Sequence, residues 1–370
     1  MAGPNERKDA VTPKLSVLDL IPVHGEQTSG DALRASREII RTAERCGYTR
    51  YWVAEHHNMP SVASTTPSIE LMYLGEGTER IRLGSGGVML PNHAPLAIAE
   101  QFALLTSVYG DRIDLGIGRA PGTDPVTSAA MRGHLGAGRL VNRDGEPVDP
   151  VEQFPQHVMD VIELLTPEGV EVPLAGGDPK ILHSTPVLSA APQVWLLGSS
   201  DYSAQLAAAL GLPYVFAHHF SGHGTQPALQ LYRDNYRPTR YGTGPRDFVS
   251  VNVVIADTQE EADELAEPFL LRMANIRTGR RLLKTPYVGE VAAEVDPIQR
   301  SVMERIRPNW IIADAEEGAR QVTELAERFS VGEIMVHPVA GQRREDDPHT
   351  APARVRTLEL LTEALKPATA

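Results

Sequence analysis

Ile81–Arg119, IRLGSGGVMLPNHAPLAIAEQFALLTSVYGDRIDLGIGR, is the stretch from which the fold can be read. A strand over Ile81–Leu90 gives way to a helix over Pro95–Tyr109 and a second strand over Arg112–Gly118. Strand, helix, strand is the unit of a parallel sheet whose crossovers are helices. The unit repeats on both sides. Before it come a strand over Leu15–Val23, a helix from Asp31 closed by Gly47, a strand over Tyr51–Ala54 and a helix over Pro67–Leu74. After it come a helix over Phe154–Leu165, strands at Val194–Leu197, Pro213–His218, Val249–Ala256 and Glu333–Pro338, and helices at Asp201–Leu210, Leu229–Tyr236, from Thr258, at Ala315–Phe329 and at Val355–Leu365. Eight strands with helices between them predict a closed (β/α)8 TIM barrel, an α/β fold with insertions at Ala120–Pro150, Thr166–Gln193 and Asn275–Pro308. Such inserts usually carry function, and these are expected to form a substrate mouth or lid.

Composition agrees with one large domain over residues 15–370 behind a polar, flexible tail at 1–14. Of 370 residues, 42% are hydrophobic and 22% charged, ordinary for a chain that buries a sizeable core. The net charge of −13, from 48 acidic and 35 basic residues, argues against nucleic acid as a partner. An anionic ligand would need a local cationic pocket. Cys46 is the lone cysteine, so neither an internal disulfide nor a thiolate metal cluster can form. No apolar run has transmembrane length and the start lacks a secretion signal, so no membrane association and a cytoplasmic location are expected.

In a barrel of this kind, chemistry sits where strands end. The residues to weigh are His24, Glu55-His56-His57, Ser85-Gly86-Gly87, Gly116-Ile117-Gly118-Arg119 and Gly198-Ser199-Ser200. Arg119 offers a planar fork to phosphate oxygens, and Ser199, Ser200 and Ser203 add hydroxyls beside the amides of a helix N-terminus. Singly, a helix cap and a surface ion pair would explain them; on neighbouring strand ends they point to a phosphate. Gly86 and Gly87 inside an apolar strand fit a bulge, the close approach of a flat ligand, or both. Gly116, Gly118 and Gly122 resemble a dinucleotide fingerprint, but Ala120 to Pro125 breaks the helix that it requires. Adjacent His56 and His57 face opposite ways on a strand, so one enters the site. A metal set such as His24, His56 and His218 lacks the usual ligand spacings, and no metal is expected. His57, His219 and His337 are read as structural.

Trp52–His57, Leu83–Pro91, Asp114–Arg119 and Val194–Ser200, in that order, resemble the bacterial luciferase-like flavin monooxygenases, and the likeness covers nearly the whole chain. By that resemblance, His56 matches a histidine that assists flavin oxygenation, with Glu55 and His218 as further catalytic candidates and His24 lining the pocket. Arg119, Ser200 and Ser203 match positions that hold the FMN phosphate, and Gly86 and Gly87 a pair joined by a cis peptide under the flavin ring beside Ser85. Gly118 stands in place of a reactive cysteine and Ser199 in place of a glutamate, so thiol chemistry and a long-chain aldehyde substrate are not implied.

The resemblance implies a homodimeric monooxygenase that receives reduced FMN (FMNH2) from a separate flavin reductase, activates dioxygen (O2) as a flavin hydroperoxide, and hydroxylates, epoxidises or Baeyer–Villiger oxidises a small-molecule substrate, with secondary metabolism as its expected source. Rival readings are a deazaflavin-dependent oxidoreductase of the same superfamily, a flavin carrier without activity, and a barrel metallohydrolase.

Overall fold

The computed structural model describes residues 12–133, 151–174, 177–291 and 295–366. Eight parallel strands close on themselves. They are β1 (Lys14–Asp19), β2 (Arg50–Val53), β3 (Arg82–Ser85), which β4 (Val88–Met89) continues after a break, β5 (Ile113–Gly118), then, past a small antiparallel pair of β6 (Val170–Val172) and β7 (Lys180–Leu182), β8 (Gln193–Gly198), β9 (Tyr214–Phe216), β10 (Asp247–Ala256) and, past β11 (Ile311–Asp314), β12 (Glu333–Pro338). The ring closes through β12 on β1, with Leu15 opposite Ile334, and through β9 on β10, with Val215 opposite Phe248. The α/β barrel expected from the strand count is the fold observed.

Parallel strands covered on both faces need apolar residues throughout, which is why DFVSVNVVIA in β10 is buried over all but its first residue. The crossovers are α1 (Ser29–Arg45), α2 (Pro67–Leu74), α3 (Pro95–Tyr109), α4 (Pro125–Met131), α5 (Phe154–Leu164), α6 (Asp201–Leu210), the single turn α7 (His218–Ser221), α8 (Thr225–Asn235), α9 (Gln259–Arg277), α10 (Pro297–Ile306), α11 (Ala315–Phe329) and α12 (Pro352–Leu365). Local chemistry sets their ends: a reciprocal Thr28–Asp31 capping box starts α1, and Gly211, left-handed at φ 65°, closes α6.

The first strand ends at Asp19, earlier than the apolar run predicts. The Asp19 carboxylate accepts the Ile21 amide at 2.7 Å, and Ile21 turns the chain at φ 48°. Lys14, placed in the tail by composition, already pairs with Glu333. The N-terminal end of the barrel is plugged by charge. Arg50 bonds Asp114 at 2.6 Å and Glu333 at 2.7 Å, while Arg82 bonds the other Asp114 oxygen. Above this plug, Trp52, Trp195 and Phe248 meet at centroid distances of 5.0–5.8 Å and fill the interior.

The inserts divide between the two ends. Thr166–Gln193 connects a helix to a strand, so it lies at the N-terminal end: Thr166 and Leu188–Gln193 line a cleft of about 690 Å³ together with Arg82 and Asp111. It cannot line the mouth as expected, because connections from helix to strand return to the opposite face of a barrel. The other two inserts do reach the mouth. Thr127 and Ser128 in α4 bond Asn58 and Asn92, and residues 134–150 of that insert lie outside the described residues. From the end of β10, α9, α10 and β11 build a cap with its own apolar core of Leu265, Phe269, Val302, Trp310 and Ile312.

Candidate functional site

Arg119 follows the last residue of β5, and its guanidinium stacks over the ring of Tyr202, 4.1 Å from the centroid, in the first turn of α6. Among the described residues Arg119 makes no ion pair and no hydrogen bond. Ser200 sits at the N-cap of α6 with extended backbone, yet its side chain makes no capping bond. Ser199 and Ser200 are exposed, whereas Ser203 is buried. Gly198 gives Ser203 its room, since a Cβ there would lie 2.2 Å from the Ser203 hydroxyl. Neither of the ordinary explanations, a cap or a surface ion pair, is realised. The structure instead brings an unpaired cation to an uncapped helix N-terminus, where free amides and the helix dipole favour an anion.

Ser85, Gly86 and Gly87 form the break between β3 and β4, and the Gly86–Gly87 peptide is cis. Protein atoms occupy the space that side chains there would need. A Cβ on Gly86 would meet Leu18 and Trp52, and one on Gly87 the backbone of Gly116 and Gly118. Internal packing thus accounts for both glycines without a ligand. Ser85 is also used internally: its hydroxyl donates to the Gly116 carbonyl at 2.8 Å and accepts the Gly116 amide at 3.0 Å.

Glu55 lies buried at the end of β2, and both of its carboxylate oxygens are hydrogen-bonded. One carboxylate oxygen faces Nε2 of His57 at 2.8 Å and Nε2 of His93 at 2.7 Å; the other accepts the Met89 amide at 2.9 Å. Burial pushes the acid up, but these bonds outweigh it and hold the carboxyl at about 2. As a carboxylate, Glu55 can orient His57 and His93 or accept a proton, but has none to donate. The three ligand atoms lie within 4.8 Å of one another, a grouping that could hold a metal ion and that no sequence spacing announced.

His56 is half-buried, and its Nδ1 is buried with no partner among the described residues. Burial and the nearby Arg272 charge push its imidazole down to about 4, so it is neutral at pH 7. His24, fully inside after β1, is pushed to about 3 by burial and by the Arg354 and Arg272 charges.

The family model described as luciferase-like monooxygenase matches residues 14–331. The chain belongs to the luciferase-like monooxygenase family. A luciferase-like monooxygenase of Escherichia coli K12 is 35% identical over 329 residues, 88% of this chain and 91% of its own. The structure of apo-MsnO8 superposes with a TM-score of 0.79 at 31% identity, covering 96% of this chain and 99% of that one. Two structures share the fold alone. A type II Baeyer–Villiger monooxygenase of Pseudomonas putida in complex with FMN has a TM-score of 0.70 at 17% identity, covering 95% and 97% of the two chains. An F420-dependent secondary alcohol dehydrogenase has 0.60 at 15%, covering 96% and 100%.

In this luciferase-like monooxygenase the two histidines after β9 have different surroundings. His218, the catalytic candidate, bonds Thr225 at 2.7 Å and packs on Phe329 of α11. Its neighbour His219, read as structural, turns to the barrel interior and bonds Ser250 at 2.6 Å. The strand expected to run to His218 ends at Phe216, and both histidines lie in the turn α7, where strand alternation does not set which of them faces inward. His337, also read as structural, lies 5.7 Å from the His219 ring and bonds the Asn252 carbonyl oxygen at 2.8 Å, while the Asn252 amide donates to the His219 carbonyl. Because that oxygen only accepts, His337 carries its proton on Nδ1 and keeps Nε2 as an acceptor. Arg272 of α9 completes this group. Motif spacing gave no signal for it, since it sits deep in a helix rather than at a strand end.

Proposed function

We propose that this luciferase-like monooxygenase uses reduced FMN to oxygenate a small organic molecule at the barrel mouth, with Arg119, Ser199, Ser200 and Ser203 holding the FMN phosphate. The observation that carries the reading is the Arg119 guanidinium, unpaired among the described residues, over Tyr202 at the uncapped start of α6. A terminal phosphate is dianionic and presents several oxygens, which suits a fork, hydroxyls and helix amides acting together. The donor set fits that group, and Gly198 lets Ser203 pack against the backbone at the start of α6.

When bound, reduced FMN supplies the electrons with which dioxygen is activated. The protein's part is to orient and to shield. The cis Gly86–Gly87 segment and the Trp52, Trp195 and Phe248 floor give a fixed wall under the mouth, and the α9–α10 cap excludes water above it. His56, neutral and with a free Nδ1, is the residue that holds or accepts a proton there. Delivery of reduced FMN by a separate reductase belongs to this reading by family resemblance. A homodimer and a substrate from secondary metabolism belong to the same reading by family resemblance, and a cytoplasmic location is proposed with them as the default.

The test loads the protein anaerobically with reduced FMN and mixes it with oxygenated buffer while absorbance is followed. Reoxidation markedly slower than that of free FMN, with the protection reduced in His56→Ala, is expected. Reoxidation at the rate of the free cofactor in the wild type would reject the proposal, and tight binding of reduced F420 in place of FMN would select the deazaflavin alternative.

A further inference from the structure

The structure assigns to Arg272 the docking of a carboxylate on the substrate, making the molecule oxygenated an organic acid. This inference rests on the proposed function, because it takes the barrel mouth as the substrate site.

Arg272 differs from the other buried arginines of the chain. Arg50 is paired with Asp114 and Glu333, and Arg354 with Asp19. Arg272 is as deeply buried, at 5% exposure, and among the described residues it has no carboxylate partner. Its Nε and Nη1 are buried without any hydrogen-bond partner, Nη2 reaches only the weakly accepting Met59 sulfur at 3.7 Å, and the guanidinium lies 4.8 Å from the centre of the Phe269 ring. Taking a cation out of water with no opposing charge opposes folding, so its retention calls for a compensating anion from outside the chain. Both edges that can grip a carboxylate with two parallel hydrogen bonds, Nε with Nη2 as Arg233 uses on Asp247 and Nη1 with Nη2, thus carry nothing stronger than the sulfur contact.

Its position selects the substrate over the cofactor phosphate. Arg272 acts electrostatically on His24 after β1, His56 after β2 and His337 on β12, three consecutive strands of the ring. Arg119 and α6 follow β5 and β8, farther round the barrel. A ligand anchored at Arg272 therefore reaches past His56 toward a cofactor anchored at Arg119.

Calorimetric titration of the full chain with sodium benzoate, against the neutral benzamide at matched ionic strength, tests this directly. Benzoate is expected to bind at least about tenfold more tightly than benzamide, and Arg272→Gln to lose at least about tenfold in benzoate affinity while keeping FMN affinity. Arg272→Lys, a point charge without the fork, should fall between. Arg272→Gln should melt no lower than the wild type, since it removes an unpaired buried charge. Benzoate that fails to bind the wild type, or binds Arg272→Gln equally well, overturns the proposal. So do a lower melting temperature for Arg272→Gln, which would make the guanidinium structural, and a parallel loss of FMN affinity, which would place it against the flavin. Failure of the cofactor reading appears separately, as FMN affinity unchanged in Arg119→Ala.

Discussion

Arg50 and Arg119 show how differently one residue type is used at the two ends of this barrel. Arg50 is locked by Asp114 and Glu333 beneath the aromatic interior, and Asp114 also takes Arg82 and the Trp52 indole N–H. Removing the Asp114 charge leaves two arginines short of their partner, so Asp114→Asn is expected to cost about 3 kcal/mol in chemical denaturation while FMN affinity per folded molecule is unchanged. Glu55 likewise holds a local structure rather than a proton: Glu55→Gln should lower stability by about 2 kcal/mol through the loss of charge-assisted bonds to His57 and His93. If that trio serves only as hydrogen-bonding structure, dialysis against a chelator leaves the melting temperature unchanged, and a drop would reassign it as a metal site. His56 and Arg119 were legible because they abut strand ends, where both sequence and family resemblance direct attention. Arg272 was hidden because burial inside a helix leaves no mark in a motif, and His218 was chosen over His219 because sequence does not show which of two adjacent residues faces inward.

At the scale of elements, the start of α6 carries the functional argument. Gly198→Ala would put a methyl group 2.2 Å from the Ser203 hydroxyl, forcing the first turn away from Arg119. We expect FMN affinity to fall by about tenfold and stability by about 1–3 kcal/mol, read by flavin fluorescence titration and urea denaturation. The regular crossovers α3, α6 and α11 were readable from periodicity and helix boundaries. The cap was not. β11 is four residues long and pairs only with the end of β10 beyond the barrel, so neither its length nor any alternation separates it from a loop. The helix α4 and the β6–β7 pair also fell inside stretches where Gly and Pro masked short regular segments.

Over the whole molecule, the histidines at the mouth tie stability to pH. His24, His56 and His219 are held near 3, 4 and 3, chiefly by burial, against an ordinary value of 6.5. Above pH 6.5 neither the folded nor the unfolded chain protonates them. Below it the unfolded chain takes up protons first, so stability falls as pH drops from about 6.5 toward 4, by at most about 1.4 kcal/mol per pH unit for each fully buried histidine and less for the half-buried His56 and His219. His24→Gln should flatten the decline between pH 6.5 and 5, as seen in melting temperature.

The central claim is that Arg119 and the start of α6 recognise a phosphate, and a comparison of FMN with riboflavin, its phosphate-free form, isolates that contact. Equilibrium titration of the wild type and Arg119→Ala with both ligands should show FMN bound about 100-fold more tightly than riboflavin by the wild type, with most of that preference lost in the variant and riboflavin affinity little changed. Equal affinity of the wild type for the two flavins, or a preference that survives in Arg119→Ala, would contradict it.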